Sequence, residues 1–430
     1  MENPNKNFIC ISNYFKGNDF LINMKKLGNK VFLITSEKLR DKPWAFDSID
    51  EIFYMPGQDI DWDLDMLLQG VAGLMRKEKI DAIVALDDFD VEKATFLREN
   101  LRVDGMGQTT GRYFRDKLAM RVKAQAEGVP VPPFSALFND EYINHFADTV
   151  SPPWVLKPRS EASASGIMKV HSKEELWQKI HELGDNRIKY LVEQFKPGAV
   201  YHCDGLNFNN KVLFSITSQY LATPMEISQG GGIFRSANIP YNNADDKAIK
   251  KVNEQVMKAF GMKHGATHTE FIKCNEDGKI YFLETSSRVG GAHLAEMVEA
   301  ASDINLWGEW AKIEDALVRG KEYKVPSQKK QFAGIVLTLS KFEQPDLSGF
   351  NDSEVCFRVP LEYHAGLIVK SDELPKIEKD ITTTVCWMDS KKLVPGTKYL
   401  VQHNTNRVLA KVESIKNTIA TDYSGTTEAS

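Results

Sequence analysis

Two glutamates are spaced so that they share one site. Glu270 lies in the apolar segment 266–273, and Glu284 ends the apolar segment 279–284. Both segments have the composition of β-strands, and the Asn-Glu-Asp-Gly stretch between them is typical of a turn, so the sequence predicts a hairpin. Two carboxylates on one face of a rigid hairpin, with phosphates opposite, form the kind of site that binds Mg²⁺. Exposed glutamate pairs on hairpins are just as common, so a solvated surface is the alternative.

Polar and glycine residues directly after Glu284 extend this site. Ser286 and Arg288 follow it in what the pattern predicts to be extended backbone. Alternate side chains lie on the same face of an extended segment, so a carboxylate, a hydroxyl and a guanidinium can converge there. Gly290 and Gly291 allow the backbone to turn sharply beside a ligand. Arg288 is suited to stabilise charge that develops on a transferring phosphoryl or acyl group.

Two lysines are candidates for phosphate binding. Lys117 lies near the start of a predicted helix, and Lys157 ends the predicted strand 154–157, just before a loop of small residues at 160–166. Backbone N–H groups of such a loop approach phosphate oxygens closely, and an ammonium supplies positive charge. Taken alone, each lysine is more often a surface residue.

The elements that must position these residues begin with an alternating pattern. Short apolar runs separated by amphipathic segments indicate an α/β domain with helices on both faces of a parallel sheet. Asp87, Asp88 and Asp90 follow the last of these runs, at the edge where open α/β sheets bind ligands, with a solvated acidic loop as the alternative. The predicted strands are 8–12, 31–35 and 82–86, and the predicted helices are 63–77 and 91–100.

The rest of the chain predicts two further groups of strands with helices between them. A β-rich region begins near residue 331, and the Ser/Thr/Gly-rich tail 421–430 favours disorder. The predicted elements are a hairpin at 154–157 and 167–170, a helix at 174–183, strands of a second sheet at 190–195, 200–207 and 211–218, a helix at 244–260, and one long helix within 292–318.

Composition and motifs exclude several classes of protein. With 430 residues, 42% hydrophobic and 26% charged, the chain has the composition of a multidomain soluble protein. A net charge of −5 predicts neither a nucleic-acid nor a polybasic membrane surface. There is no apolar run of the roughly 18–20 residues that a membrane helix needs, no signal-peptide pattern, and no paired cysteine motif, so a cytoplasmic location is expected. No P-loop or dinucleotide-binding glycine motif occurs.

The order of these pieces resembles the ATP-grasp superfamily over residues 7–320. The resemblance implies a chain of α/β and α+β character, with an ATP-grasp fold of the carboxylate–amine ligase, biotin-carboxylase-like type. The matching motifs are Arg115-Asp-Lys117-Leu-Ala-Met120 with Gly128-Val-Pro-Val-Pro132, Val155-Leu-Lys157-Pro158 with Ser163-Ala-Ser-Gly166, Val192-Glu193-Gln194-Phe195 with Tyr201-His-Cys-Asp204-Gly205, and Glu270 with Phe282-Leu-Glu284-Thr-Ser-Ser-Arg288.

The resemblance implies that most of these residues bind ATP and a metal ion. Lys117 and Lys157 would bind phosphates beneath the small-residue loop, and Glu193 would contact adenine together with the backbone that follows it. Mg²⁺ or Mn²⁺ would be held by Glu270, Glu284 and Ser286, where many members have asparagine, a stronger ligand. The implied ATP-binding set is Lys117, Lys157, Ser163, Ser165, Gly166, Glu193, Gln194, Phe195, His202, Glu270 and Glu284.

The reaction that the resemblance implies is ADP-forming ligation. ATP would convert a small carboxylate to an acyl phosphate, which an amine then attacks, with Arg288 and Lys157 as catalytic residues. Arg235 is a candidate carboxylate clamp by its bidentate geometry, and Gly290, Gly291 and His293 are further candidate substrate contacts. For His293 an ordinary histidine early in a helix is the alternative. Biotin-carboxylase-like activation of bicarbonate and a non-catalytic ATP-binding module are the other functions considered. The oligomeric state stays open, with a homodimer among the candidates.

Five segments are predicted along the chain, and the fourth of them carries a second family resemblance. Residues 380–416 resemble part of the elongation-factor-like barrel in the GTPase subunit of sulfate adenylyltransferase, without its GTP-binding residues. The segments are a pre-ATP-grasp α/β domain at 1–108, an ATP-grasp domain at 109–325 with lobes at 109–188 and 189–325, a C-terminal lobe at 326–375, a small β-barrel-like module at 376–420, and a disordered tail at 421–430.

Overall fold

The computed structural model of the chain divides into two compact units, residues 1–374 and 375–430. It describes residues 5–57, 61–161, 165–230, 232–374, 393–395, 398–403, 406–412, 414–415, 417–419 and 426–428. No helix within these ranges is long and apolar enough to cross a membrane.

The first unit begins with a four-stranded parallel sheet in the order β3-β2-β1-β4. Alternate residues of its central strands pack into two different clusters, Phe8 and Cys10 into one and Ile9 and Ile11 into the other, so both faces are covered. The predicted α/β pattern is confirmed. Its elements are β1 (Asn7–Ser12), α1 (Asn18–Lys26), β2 (Lys30–Ser36), β3 (Glu51–Met55), α2 (Leu64–Met75), β4 (Ala82–Ala85) and α3 (Val91–Leu101).

A small antiparallel sheet follows, in the order β5-β8-β6-β7. Its core is the cluster around Trp154, Leu156 and Val192, which α6 and α7 cover. The predicted hairpin that ends at Lys157 is confirmed as β6 and β7. The elements are α4 (Gln108–Arg112), α5 (Lys117–Ala126), β5 (Phe134–Ala136), α6 (Asp140–Thr149), β6 (Trp154–Pro158), β7 (Met168–Val170), α7 (Lys173–Leu183) and β8 (Tyr190–Gln194).

A large sheet of eight antiparallel strands completes the first unit, in the order β13-β12-β9-β10-β11-β14-β16-β15. Helix α9 packs against strands β9, β10 and β13, and helix α11 packs against β9 and β12. The elements are β9 (Gly198–Phe208), β10 (Lys211–Tyr220), α8 (Pro224–Gly230), β11 (Phe234–Asn238), α9 (Ala244–Phe260), β12 (Gly265–Cys274), β13 (Ile280–Ser286), α10 (Leu294–Ser302), α11 (Leu306–Val318), β14 (Phe332–Leu339), β15 (Val355–Arg358) and β16 (His364–Ser371).

Two predictions about these sheets are wrong. The strand predicted at 190–195 does not belong with the two strands after it, because β8 pairs with β5 and β6 in the small sheet. Pro197, which has no N–H to donate, separates β8 from β9. The single helix predicted within 292–318 is two helices, because Asp303 adopts a left-handed conformation and Asn305 caps a new helix by accepting the Gly308 N–H at 2.8 Å.

The second unit contains two antiparallel strand pairs within its described residues. These are β17 (Lys398–His403) with β18 (Asn406–Lys411), and β19 (Asn417–Ile419) with β20 (Thr426–Glu428). Part of the tail predicted to be disordered is thus a short strand, consistent with the extended preference of the β-branched threonines there. Residues 380–392, part of the segment with the elongation-factor-like resemblance, lie outside the described residues.

Candidate active site

Two cavities meet at the predicted carboxylate pair. The first, of about 450 Å³, lies between the small and the large sheet, and the second, of about 390 Å³, lies between the large sheet and the edge of the N-terminal sheet. Five residues line both cavities: Lys117, Glu161, Pro224, Glu270 and Glu284. The junction therefore holds the pair Glu270 and Glu284 together with one of the predicted phosphate-binding lysines.

The two glutamates face each other across the predicted hairpin. Glu270 of β12 and Glu284 of β13 are direct Cα partners in the strand register. Glu284 Oε2 lies 2.7 Å from Lys117 Nζ. Burial alone would raise the pKa of Glu284, but Lys117 and then Lys157 outweigh it and hold this pKa below its ordinary value. Two carboxylate groups from adjacent rigid strands, one of them held ionised, fit the oxygen ligand set of a Mg²⁺ ion.

A buried polar network supports Glu270. The Tyr220 hydroxyl donates to Glu270 Oε1 at 2.9 Å, and His268 Nε2 lies 3.6 Å from the same oxygen. Asp204 bonds to His268 Nδ1 at 2.8 Å and to His202 Nδ1 at 2.6 Å. Burial alone would lower the pKa of His268, but Asp204 and Glu270 together outweigh it and raise this pKa to about 10. The network therefore holds Glu270 Oε1 in place.

The structure places His202, which the family resemblance puts near the nucleotide, inside the large sheet. Its side chain is fully buried in the sheet, its Nε2 bonds to Ser236 Oγ at 2.6 Å, and it lines neither cavity. The rings of Tyr220 and His268 lie beside it at tilted angles, with ring centroids 4.7 and 5.3 Å away. The sequence did not show that neighbouring side chains cover this ring.

Lys117 is positioned by the start of helix α5. The Asp116 side chain caps this helix by accepting the Leu118 N–H at 2.9 Å. Lys117 Nζ also donates to the Glu161 carbonyl at 2.6 Å, which ties the helix to the small-residue loop. Ser165 of that loop lines the first cavity and Gly166 has a φ of +69°, which favours glycine. Ser163 lies outside the described residues.

Lys157 and Glu193 form a buried ion pair in the wall of the first cavity. Lys157 Nζ donates to Glu193 Oε1 at 2.5 Å, and Arg121 Nε donates to Glu193 Oε2 at 2.9 Å. Burial lowers the pKa of Lys157 despite this partner. Burial would raise the pKa of Glu193, but Arg121 and Lys157 together hold it below its ordinary value. Both Glu193 oxygens are engaged, so this side chain positions two cations.

The segment after Glu193 forms another part of that wall. Gln194 and Phe195 both line the first cavity. Their N–H groups donate to the Pro133 and Pro153 carbonyls at 2.8 and 3.0 Å. The Lys169 ammonium lies 3.8 Å from the centre of the Phe195 ring. The backbone that carries these two side chains is therefore held by the residues just before β5 and β6.

Arg288 projects into the second cavity and is held by a residue of the N-terminal sheet edge. Its Nε donates to Asp88 Oδ2 at 2.9 Å, its second amino group contacts the same oxygen, and its Nη1 donates to the Val289 carbonyl at 2.8 Å. Burial would raise the pKa of Asp88, but Arg288 outweighs it and holds this pKa well below its usual range. Ser286 lines the same cavity and contributes to that lowering.

Three further residues, Gly290, Gly291 and His293, are predicted substrate contacts, and one of them lies in a cavity wall. Gly291 lines the second cavity. Gly290 packs against the buried network, where a Cβ would lie 2.9 Å from Asp204 Oδ1, so only glycine fits there. His293 has a left-handed backbone, bonds to Glu296 at 3.0 Å and lines neither cavity.

Arg235, predicted as a carboxylate clamp, lines neither cavity. It lies on β11, where its Cα pairs with Val336 of β14. The neighbouring Phe234 faces the second cavity instead. Successive side chains on a strand point to opposite faces, so the face that Phe234 occupies is closed to Arg235. The sequence did not identify Asp88 or Tyr220 as contacts of Arg288 and Glu270, because both contacts link distant elements.

Similar proteins support this architecture. Residues 150–296 match the family described as ATP-grasp domain. The chain is 26% identical over 254 residues to the L-arginine-specific L-amino acid ligase of Bacillus subtilis, covering 57% of this chain and 60% of the relative. It is 25% identical over 188 residues to a D-alanine–D-alanine ligase of Neisseria gonorrhoeae, covering 43% and 61%. The chain thus spans about three fifths of the length of these curated relatives.

Solved structures share the fold of the first unit. The L-amino acid ligase from Bacillus licheniformis superposes with a TM-score of 0.68 and 18% identity, covering 86% of this chain and 95% of that one. A biotin carboxylase from Campylobacter jejuni superposes with a TM-score of 0.63 and 16% identity, covering 85% and 87%. These comparisons give no support to the elongation-factor-like resemblance of residues 380–416. The chain has the ATP-grasp fold, and its residues 150–296 form the part that matches the ATP-grasp domain.

Proposed function

We propose that the chain is an ADP-forming ligase that activates a carboxylate with ATP and joins it to an amine. The observation that supports this most directly is the meeting of two cavities at Glu270 and Glu284. A phosphoryl donor in the first cavity and a carboxylate in the second would then react across the junction. Ligases named among the relatives, which join amino acids, agree with this reaction class.

In this proposal the first cavity binds ATP. Lys117 and Lys157 are placed to contact phosphate oxygens, and Gln194 and Phe195 line the wall where a base would pack. Glu270 and Glu284 would hold Mg²⁺, with Ser286 near the second cavity as a weaker oxygen donor. The bound ion would neutralise charge on the phosphates. Lys157 stays oriented by Glu193 throughout, which limits the reorganisation that phosphate binding requires.

The second cavity favours an organic carboxylate over bicarbonate. Its volume of about 390 Å³ far exceeds the needs of a bicarbonate ion. Its walls include the apolar side chains of Ile227, Phe234 and Leu294 besides the charged groups. An apolar wall adds no recognition for a small polar ion, but it does hold the carbon skeleton of an amino acid.

A screen for ADP release tests the proposed function. The full chain is incubated with ATP, Mg²⁺ and pairs of the twenty amino acids, and ADP is followed by an enzyme-coupled assay. We expect ADP formation that depends on both the metal and a particular pair. Substrate-independent ATP hydrolysis, or ATP binding without turnover in every pair, would speak for a different function.

Replacing Lys157 by methionine is expected to weaken ATP binding roughly ten- to hundredfold. A hydrogen bond to a charged group contributes about 1.5–3 kcal/mol, and methionine keeps the apolar stem. Calorimetric titration with a non-hydrolysable ATP analogue measures the change. Lys189→Met, an exposed lysine of the same lobe that lines neither cavity, is the control. Equal affinity of the Lys157 variant and wild type would remove this lysine from the nucleotide site.

A further inference from the structure

Most cationic side chains in the wall of the second cavity are balanced by a carboxylate. Lys117 lies 2.7 Å from Glu284, Arg288 contacts Asp88, and His268 lies 2.8 Å from Asp204. Each of these cations therefore has a fixed counter-charge within the protein. A substrate anion that approaches them competes with, or adds to, an existing ion pair.

Arg115 is different. It lines the same cavity with only 8% of its surface exposed, and its Nε is buried without a hydrogen-bond partner. Over the ranges that the structure describes, its guanidinium forms no ion pair. Its guanidinium carbon lies over the Phe89 ring, 4.2 Å from the ring centre. A guanidinium stacked on an aromatic face keeps its planar edge free for a ligand.

An unbalanced buried cation is costly, so its place in a cavity wall needs a reason. Removing a charge from water without a partner destabilises a protein strongly. Arg121, which is fully buried, meets this requirement by donating to Glu193. Arg115 has an open cavity instead of a carboxylate. An anionic ligand that enters the cavity would supply the missing charge.

The position of Arg115 separates it from Lys157, the lysine expected to bind ATP phosphates in the first cavity. Arg115 lines only the second of the two cavities, whereas Lys157 lines only the first and Lys117 lines both. The planar fork of a guanidinium matches a carboxylate, which accepts two parallel hydrogen bonds. The anion expected beside Arg115 is therefore a substrate carboxylate.

Two carboxylates can be told apart by the two arginines of this cavity. Asp88 and Phe89 are consecutive residues, and they hold Arg288 and Arg115 respectively. Arg288 follows Glu284 closely in the chain and is the cation expected beside the transferring phosphoryl or acyl group. In a ligation of two amino acids, the carboxylate of the amine substrate stays ionised from start to finish. It needs a counter-charge that no other step uses.

We propose that Arg115 binds the carboxylate of the amine substrate, so that the nucleophile is itself an amino acid. This proposal rests on the ligase function proposed above and adds the class of the second substrate. Arg115 then holds the attacking amino group at a fixed distance from the acyl phosphate, because the carboxylate and the amine of an α-amino acid are joined through one carbon.

The test compares an amino acid with its carboxamide as nucleophile. With the acyl donor found in the ADP screen, we expect Arg115→Met to raise the KM for L-alanine or the preferred amino acid ten- to hundredfold, a loss of about 1.4–2.7 kcal/mol. The KM for the matching carboxamide, for ATP and for the acyl donor should stay within twofold of wild type. Arg115→Lys should recover part of the loss. Arg112→Met, an exposed arginine on the preceding helix, is the matched control.

Several results would overturn the assignment. Equal loss with amino acid and carboxamide would mean that Arg115 is structural, and a rise confined to the KM of the acyl donor would give it the other carboxylate. If the methionine variant fails to fold, the same comparison is made with Arg115→Lys. If wild type forms no ADP with any pair, the ligase proposal fails separately. Calorimetric binding of L-alanine and L-alaninamide to the protein with Mg²⁺ and ADP then decides, and identical affinities in wild type and variant would reject a role for Arg115.

Discussion

Replacing Glu284 by glutamine is expected to lower kcat/KM for ADP formation by about 10²–10³, or roughly 3–4 kcal/mol of transition-state stabilisation. The carboxylate lies at the junction of both cavities, opposite Glu270 and 2.7 Å from Lys117. Glutamine keeps the size and one oxygen of the side chain but removes the charge that would hold a divalent cation. The loss should be accompanied by a higher Mg²⁺ concentration for half-maximal rate.

The neighbouring hairpin turn supplies a control for this variant. Glu276 is exposed at the far end of the same hairpin and lines neither cavity, so Glu276→Gln should leave both the rate and the Mg²⁺ dependence unchanged. Glu270→Gln should resemble Glu284→Gln. A Glu284 variant with wild-type metal dependence would mean that the cation binds elsewhere.

Replacing Glu193 by alanine is expected to destabilise the protein by about 3–5 kcal/mol. Both of its oxygens balance buried cations, Lys157 at 2.5 Å and Arg121 at 2.9 Å. The variant would leave two positive charges facing each other without a carboxylate between them. Thermal unfolding followed by circular dichroism, with urea unfolding as a second measure, detects the change.

Two further variants show whether the buried charges cause that loss. Lys157→Met should cost less than Glu193→Ala, because Glu193 keeps Arg121 as a partner. Glu182→Ala breaks an exposed pair with Lys179 on helix α7 and should leave the melting temperature unchanged. If Glu193→Ala had the same melting temperature as Glu182→Ala, the ion pairs of Glu193 with Lys157 and Arg121 would not stabilise the fold.

The parts of the site that the sequence predicted well are local. Glu270 and Glu284 lie on strands joined by a short turn, so apolar periodicity and turn residues were enough to place them opposite each other. Lys157 at the end of β6 follows from the same kind of argument. In each case the pattern that forms the element also fixes the position of the functional side chain.

The parts that the sequence could not predict depend on contacts between distant elements. Asp88 and Arg288 are 200 positions apart, and their ion pair exists because the edge of the N-terminal sheet meets the segment after β13. The enclosure of His202 and the exclusion of Arg235 from the cavities depend on which side chains cover a strand face. Arg115 lies only two residues before Lys117, yet its missing counter-charge becomes visible only when every neighbour is in place.

Transfer of oxygen from substrate to phosphate tests the central claim most directly. The amino acid that serves as acyl donor is labelled with ¹⁸O in its carboxylate and turned over with ATP, Mg²⁺ and the amine substrate. Activation as an acyl phosphate predicts ADP and inorganic phosphate, with one ¹⁸O atom per phosphate because the carboxylate oxygen leaves with the phosphoryl group. Release of AMP and pyrophosphate, or of phosphate without label, would contradict the proposed chemistry at the junction of Glu270 and Glu284.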